Sequence, residues 1–202
     1  MKDDYLNYSG LFDKIRKFYF RKLLKQCKAK TGMNILDYGC GPGDFILISE
    51  EFGLNSMGVD SQIRSVNMAK ARGMNVEHGD ALTLNFDENQ FDIIILQSVI
   101  EHVTDPVNLL SVLMKSLKKN GKLIVSAPTP GPHFWDDPTH IRPYTIESFE
   151  TLANILNLDI LYKNYTFSFL LGIRLKSSIF YKFLNLMPFS LGSNVFAIFK
   201  KK

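Results

Sequence analysis

The stretch Asn34-Ile35-Leu36-Asp37-Tyr38-Gly39-Cys40-Gly41-Pro42-Gly43-Asp44-Phe45 constrains the fold of this chain more than any other. A short apolar run ends in an acid, glycines follow at positions 39, 41 and 43, and Phe45-Ile46-Leu47-Ile48 can start a helix. In order this is strand, tight turn, helix: the first crossover of a parallel α/β sheet. Glycines there let the backbone turn sharply and approach a ligand closely. A phosphate-cradling loop would carry a Lys-Ser/Thr pair after its last glycine, where Asp44-Phe45 stand. A dinucleotide fingerprint spaces its glycines Gly-x-Gly-x-x-Gly, and the third glycine here has the wrong spacing. Asp37, ahead of the first glycine, would repel a pyrophosphate and attract a cation.

At 202 residues and 46% hydrophobic, the chain suits one domain with a full core. It divides into a helical lead-in (1–30), an α/β core (31–166), an aromatic, amphipathic insertion (167–192) and a last strand with a basic tail (193–202). A net charge of +4 is too small to imply nucleic acid. Cys27 and Cys40 make neither a disulfide framework nor a metal-ligand spacing. The first residues lack the apolar core of a signal peptide, and no run is long and uncharged enough to span a bilayer. A cytoplasmic setting is the expectation.

Residues 5–30 place Leu11, Phe12, Ile15, Phe18, Tyr19, Leu23 and Leu24 at helical steps amid many lysines and arginines. The expectation is a helix packed on the sheet with a solvated basic face. A helix follows the glycine loop to about Phe52. Ser56 to Asp60 reads as a second strand ending in an acid, a little over 20 residues past Asp37. That is the spacing of a carboxylate that accepts from ribose hydroxyls, and Asp60-Ser61 could also cap a helix from Ser61 to Ala71. Asn75 to Ala81 reads as the third strand and its exit. Phe91 to Gln97 is a continuous apolar run, as in a strand buried on both faces of a parallel sheet; Gln97 and the run Ser98 to Val103 that follows, at the sheet's carboxyl edge, should face the site. Asp105-Pro106 starts a helix that runs to Leu117 and is closed by Lys118-Lys119-Asn120-Gly121. Lys122 to Ala127 is the fifth strand, Asp159 to Tyr165 the sixth and Asn194 to Phe199 the seventh, with Thr145 and Ser148 capping the helix before the sixth.

The run Asp37-x-Gly39-x-Gly41-x-Gly43 resembles the first motif of class I S-adenosylmethionine-dependent methyltransferases, and the block from Phe91 through Glu101-His102 and Asp105-Pro106 to the fifth strand resembles the same class. The resemblance implies a Rossmann-like seven-stranded α/β fold: a mostly parallel sheet with an antiparallel last strand and helices on both faces. It implies S-adenosylmethionine as cofactor, held by Asp37, Gly39, Cys40, Gly41, Gly43, Asp60, Ser61, Asp80, Ala81 and Gln97. In this class Asp80 would lie near the adenine amino group, Ala81 would offer a backbone donor, and Tyr8 in the lead-in could cover the cofactor.

Methyl transfer needs alignment first, and a base where a hydroxyl must lose its proton. His140 and His102 are the candidates, with Glu101 orienting either one. Glu101-His102 with His140 also resembles the metal-binding pattern of small-RNA 2′-O-methyltransferases, but Ser98 stands where their first carboxylate would be, so no metal is expected. The segment Pro128 to Tyr144 holds five prolines, Trp135 and His140, and reads as the acceptor-site wall. The expected acceptor is a small molecule, a sugar or a lipid-linked intermediate methylated on oxygen, not a nucleic acid. Peripheral contact with the inner face of the membrane through 167–192 stays open. So do a quinone-precursor O-methyltransferase, a non-catalytic cofactor-binding subunit and, against the glycine spacing, a nicotinamide-dependent oxidoreductase.

Overall fold

The computed structural model describes residues 11–80, 83–84, 86–166 and 194–202. Tyr8, Ala81 and the 167–192 insertion lie outside them. The elements are α1 (Leu11–Gln26), β1 (Asn34–Tyr38), α2 (Asp44–Glu51), β2 (Asn55–Asp60), α3 (Ile63–Ala71), β3 (Val76–His78) and β4 (Phe91–Gln97). They continue with α4 (Pro106–Ser116), β5 (Leu117–Pro128), α5 (Ile146–Ile155), β6 (Leu158–Thr166) and β7 (Asn194–Lys201).

The strands form one seven-stranded sheet in the order β3-β2-β1-β4-β5-β7-β6. The first five are mutually parallel, and β7 runs antiparallel to both β5 and β6. The apolar strands split their side chains between two faces, as a period of two requires. Ile94, Leu96, Leu123, Val125, Ala197 and Phe199 join Leu109, Leu113 and Phe149 of α4 and α5. Ile93, Ile95, Ile124, Phe196 and Ile198 join Tyr19, Phe20, Leu23 and Leu24 of α1 with Phe45 and Ile48 of α2. The lead-in helix is therefore covered by the sheet on its apolar side. Phe18 departs from the expected stripe, being partly exposed, and Phe20 takes its place in the core.

Local signals explain most helix starts. The Asp105 side chain accepts the Asn108 N–H at 3.0 Å, with Pro106 in the first turn. Thr145 and Ser148 form a reciprocal capping box on α5. Two boundaries differ from the sequence reading. Asp60 does not start α3 at Ser61; the helix begins at Ile63, because the Asp60 carboxylate binds the Gln62 N–H one step before it. Nor does Gly121 close α4. The helix stops at Ser116, β5 starts at Leu117, and Asn120 rather than Gly121 takes the left-handed φ of 61°. The cap comes from far along the chain: the Lys201 ammonium donates to the carbonyls of Met114 at 2.6 Å and Leu117 at 2.5 Å. Gly121 is needed for closeness instead, since a Cβ there would lie 2.7 Å from the Lys118 carbonyl oxygen.

Candidate active site at the carboxyl edge of the sheet

The carboxyl ends of β1 to β5 open on a cavity of about 410 Å3. Its lining follows the strand order: Gly79 and Asp80 after β3, Asp60 and Ser61 at β2, Tyr38 and Gly39 at β1, Ser98 and His102 after β4, and Thr139 after β5. Four strand spacings separate the two ends, roughly 19 Å at about 4.8 Å each.

The glycine loop is pinned to β2. The Gly39 and Cys40 N–H groups donate to the Val59 carbonyl at 2.8 and 3.0 Å. Gly39 has φ 80°, and a Cβ on it would lie 2.2 Å from Val99 Cγ2, so only glycine lets β1 turn this close to the β4 exit. Gly43, at φ 86°, begins α2, where a Cβ would meet Met74 Sδ at 2.2 Å. Asp60 holds the loop from the other side: Oδ2 accepts the Gly41 N–H and Oδ1 accepts the Gln62 N–H, both at 2.8 Å. Each oxygen keeps a second lone pair for a donor in the cavity.

The structure sorts the sequence candidates. Gly39, Asp60, Ser61, Asp80 and His102 line the cavity. Gly41 and Gly43 act as loop backbone. Gln97 ends β4 and is half-buried, outside the lining; Ser98 takes its place, at a left-handed φ of 52° with its N–H on the Ser126 carbonyl at 3.0 Å. Such a conformation in a non-glycine residue is held by its surroundings and is common at functional sites. Cys40 packs under the loop with Ile46, Val66 and Met74, and burial, then the nearby Asp37 and Asp60, push its thiol well above the usual range. Asp37 is also buried beneath the lining. Burial first, and Asp60 second, push its carboxyl up to about 8, so it is a neutral acid at pH 7 unless a cation arrives.

At the β4–β5 end, a short 3₁₀ turn, Ile100–His102, presents His102 to the cavity. Glu101 is 1% exposed. Its Oε2 has no partner among the described residues, and burial raises its carboxyl to about 7, against the pull of its backbone hydrogen bond and with a smaller push from Asp137. Its backbone carbonyl accepts the Ile141 N–H at 2.7 Å, tying the loop after β5 to this turn. His140 stacks on Phe134 at 4.6 Å and donates Nδ1–H to the Phe134 carbonyl at 2.7 Å. It stands 4.9 Å from the His102 ring, outside the lining. Glu101, His102 and His140 bring one potential ligand atom each within 4.8 Å of one another, the one such group of three among the described residues.

Ser98, Val99 and Val103, in the run after β4 expected to face the site, do line the cavity, whereas sequence reasoning missed Tyr38, Gln62 and Thr139 as lining residues. Tyr38 ends β1, a signal that was available. Thr139 reaches the cavity only because its loop folds back over the β4 exit, which no spacing in the sequence shows.

The edge fits a nucleoside cofactor. Acceptor-only carboxylates at Asp60 and Asp80 suit hydroxyl and amino donors, and Gly39 lines the cavity beside them. Fold and site together are those of a class I S-adenosylmethionine-dependent methyltransferase, whose cofactor is S-adenosylmethionine. Residues 11–163 match the family described as a methyltransferase domain, and the chain belongs to that family.

A SAM-dependent methyltransferase of Archaeoglobus fulgidus superposes with a TM-score of 0.73 over 94% of each chain at 23% identity, a likeness of fold. Phosphoethanolamine N-methyltransferase 1 of Zea mays is 28% identical over 148 residues, 67% of this chain and 29% of its own length. The demethylmenaquinone methyltransferase of Staphylococcus saprophyticus is 27% identical over 138 residues, 60% of this chain and 59% of its own. The chain thus spans less than a third of the plant enzyme and under two thirds of the bacterial one.

Proposed function

We propose that the chain methylates a hydroxyl oxygen of a small molecule, sugar or lipid-linked acceptor, with His102 as general base and without a metal. The observation that carries this is the position of His102: it lines the cavity at the end away from Asp60 and Asp80, beside the loop after β5 that bears Trp135. The bound cofactor supplies an electrophilic methyl group. The chain supplies a base where the acceptor O–H must be deprotonated, and carboxylates that hold the nucleoside at the far end. His140 is the other sequence candidate for the base. Its contacts with Phe134 suit a wall that fixes the loop, so the base role passes to His102. The Glu101 carboxylate lies within 4.8 Å of a nitrogen of each ring.

Likeness to a demethylmenaquinone methyltransferase favours one second reading, a quinone-precursor acceptor. A panel of sugars, phenols, quinols and phosphoethanolamine, with radiolabelled methyl donor, separates the two. Expected is an O-methylated product, His102→Ala lowering kcat by roughly 10²–10⁴-fold with cofactor affinity kept, and no effect of EDTA. An N- or C-methylated product formed equally well by His102→Ala, or turnover lost to EDTA and restored by a divalent metal, overturns the proposal.

A further inference from the structure

His102 is held from behind by a short chain of acceptors. Asp137 Oδ1 accepts two hydrogen bonds from Thr139, from its N–H at 2.9 Å and from its hydroxyl at 2.6 Å. Having given its only hydrogen to Asp137, Thr139 Oγ1 can only accept from His102 Nδ1, 3.0 Å away. The Thr139 carbonyl, 3.2 Å from the same nitrogen, is an acceptor as well. Both neighbours of Nδ1 therefore demand its hydrogen, and the lone pair of the neutral ring falls on Nε2.

We propose that Asp137, acting through Thr139, is a positioning residue for His102: the pair fixes the Nδ1–H tautomer and leaves Nε2 as the atom that takes the acceptor's proton. The inference rests on His102 being the base. As the acceptor's O–H bond breaks, the new O–C bond forms, the S–C bond opens to a neutral thioether, and the proton passes to Nε2. The imidazolium then has a carboxylate two hydrogen bonds away.

The arrangement has a built character. The two Thr139 hydrogen bonds are the main cause that holds the Asp137 carboxyl below the usual range, so it is ionised at neutral pH. Its other oxygen, Oδ2, lies 4.0 Å from His140 Nε2, too long for a hydrogen bond, so the closer tie runs to His102. The other titratable groups facing the ring are Glu101, next in the chain and buried, and His140.

The test needs no acceptor. Long-range ¹H–¹⁵N NMR of the full chain reads the tautomer of each histidine directly. Expected is a His102 Nδ1–H form that dominates in the wild type, falls in population in Thr139→Val and in Asp137→Ala, and returns in Thr139→Ser. His78, whose Nε2 lies 3.0 Å from the Ser61 carbonyl, reports fold integrity by keeping its signals. A wild-type His102 in the Nε2–H form, or an Nδ1–H population unchanged in both Thr139→Val and Asp137→Ala, overturns the inference. Failure of the base assignment shows differently: the NMR pattern holds while His102→Ala retains turnover.

Discussion

Asp37→Asn exposes a cost that the fold carries beneath its cofactor loop. In the unfolded chain an ordinary aspartate ionises near 3.8; in the folded chain burial and Asp60 raise Asp37 to about 8. Between these two values the native state holds a proton that the unfolded state has released. Stability therefore falls as pH rises through that window, and rises as pH drops toward the lower end. The slope is about 1.36 kcal/mol per pH unit for one group. At pH 7 the accumulated cost is about 4 kcal/mol, an upper bound for a site that can relax. The Asn variant has no charge to lose. Urea unfolding of both proteins without cofactor, at pH 5 and pH 7, isolates the effect. Glu101 adds a slope of the same sign to both proteins and cancels in the difference. The stability gap in favour of Asp37→Asn should widen by about 2–3 kcal/mol over those two pH units. Parallel pH profiles would refute the claim that Asp37 is a buried, neutral acid.

Gly39→Ala should cost about 1–2 kcal/mol for a left-handed φ, plus about 1–3 kcal/mol for overpacking against Val99; thermal melting would show it, together with weaker cofactor binding by calorimetry, and a wild-type melting curve would argue against the close approach. Phe20→Ala should cost about 3–5 kcal/mol, because Phe20 is buried and meets Phe45 edge-on at 4.9 Å. A loss below about 1 kcal/mol in urea unfolding would mean that α1 is not part of the sheet's core.

What was legible in the sequence follows from how local each signal is. The Gly39–Gly43 turn, the apolar run of β4, the Asp105-Pro106 start and the Thr145/Ser148 cap are written in contiguous residues, and each appears as expected. The end of α4 was placed to within one residue, but what closes it was misread because the Lys201 ammonium is 84 positions from Leu117. Asp60 was legible as a site acid from its spacing, but its two backbone hydrogen bonds to Gly41 and Gln62 depend on how the loop folds back on β2. His102 was legible as a site residue from its place just after β4, His140 only as a residue type in the loop after β5. Which of them faces the cavity is decided by the loop after β5: it stacks His140 on Phe134 and brings Thr139 behind His102. That loop's path is set by tertiary contacts such as Ile141 N–H to Glu101 carbonyl, and no periodicity encodes it.

Calorimetric titration of the wild type and Asp60→Ala with S-adenosylmethionine, and of the wild type with NAD, tests the central assignment most directly. We expect the methyl donor to bind the wild type, a loss of at least ten-fold in Asp60→Ala, and no binding of NAD. Tight NAD binding with none of the methyl donor, or an Asp60→Ala affinity equal to that of the wild type, would contradict the assignment of this sheet edge as a methyl-donor site.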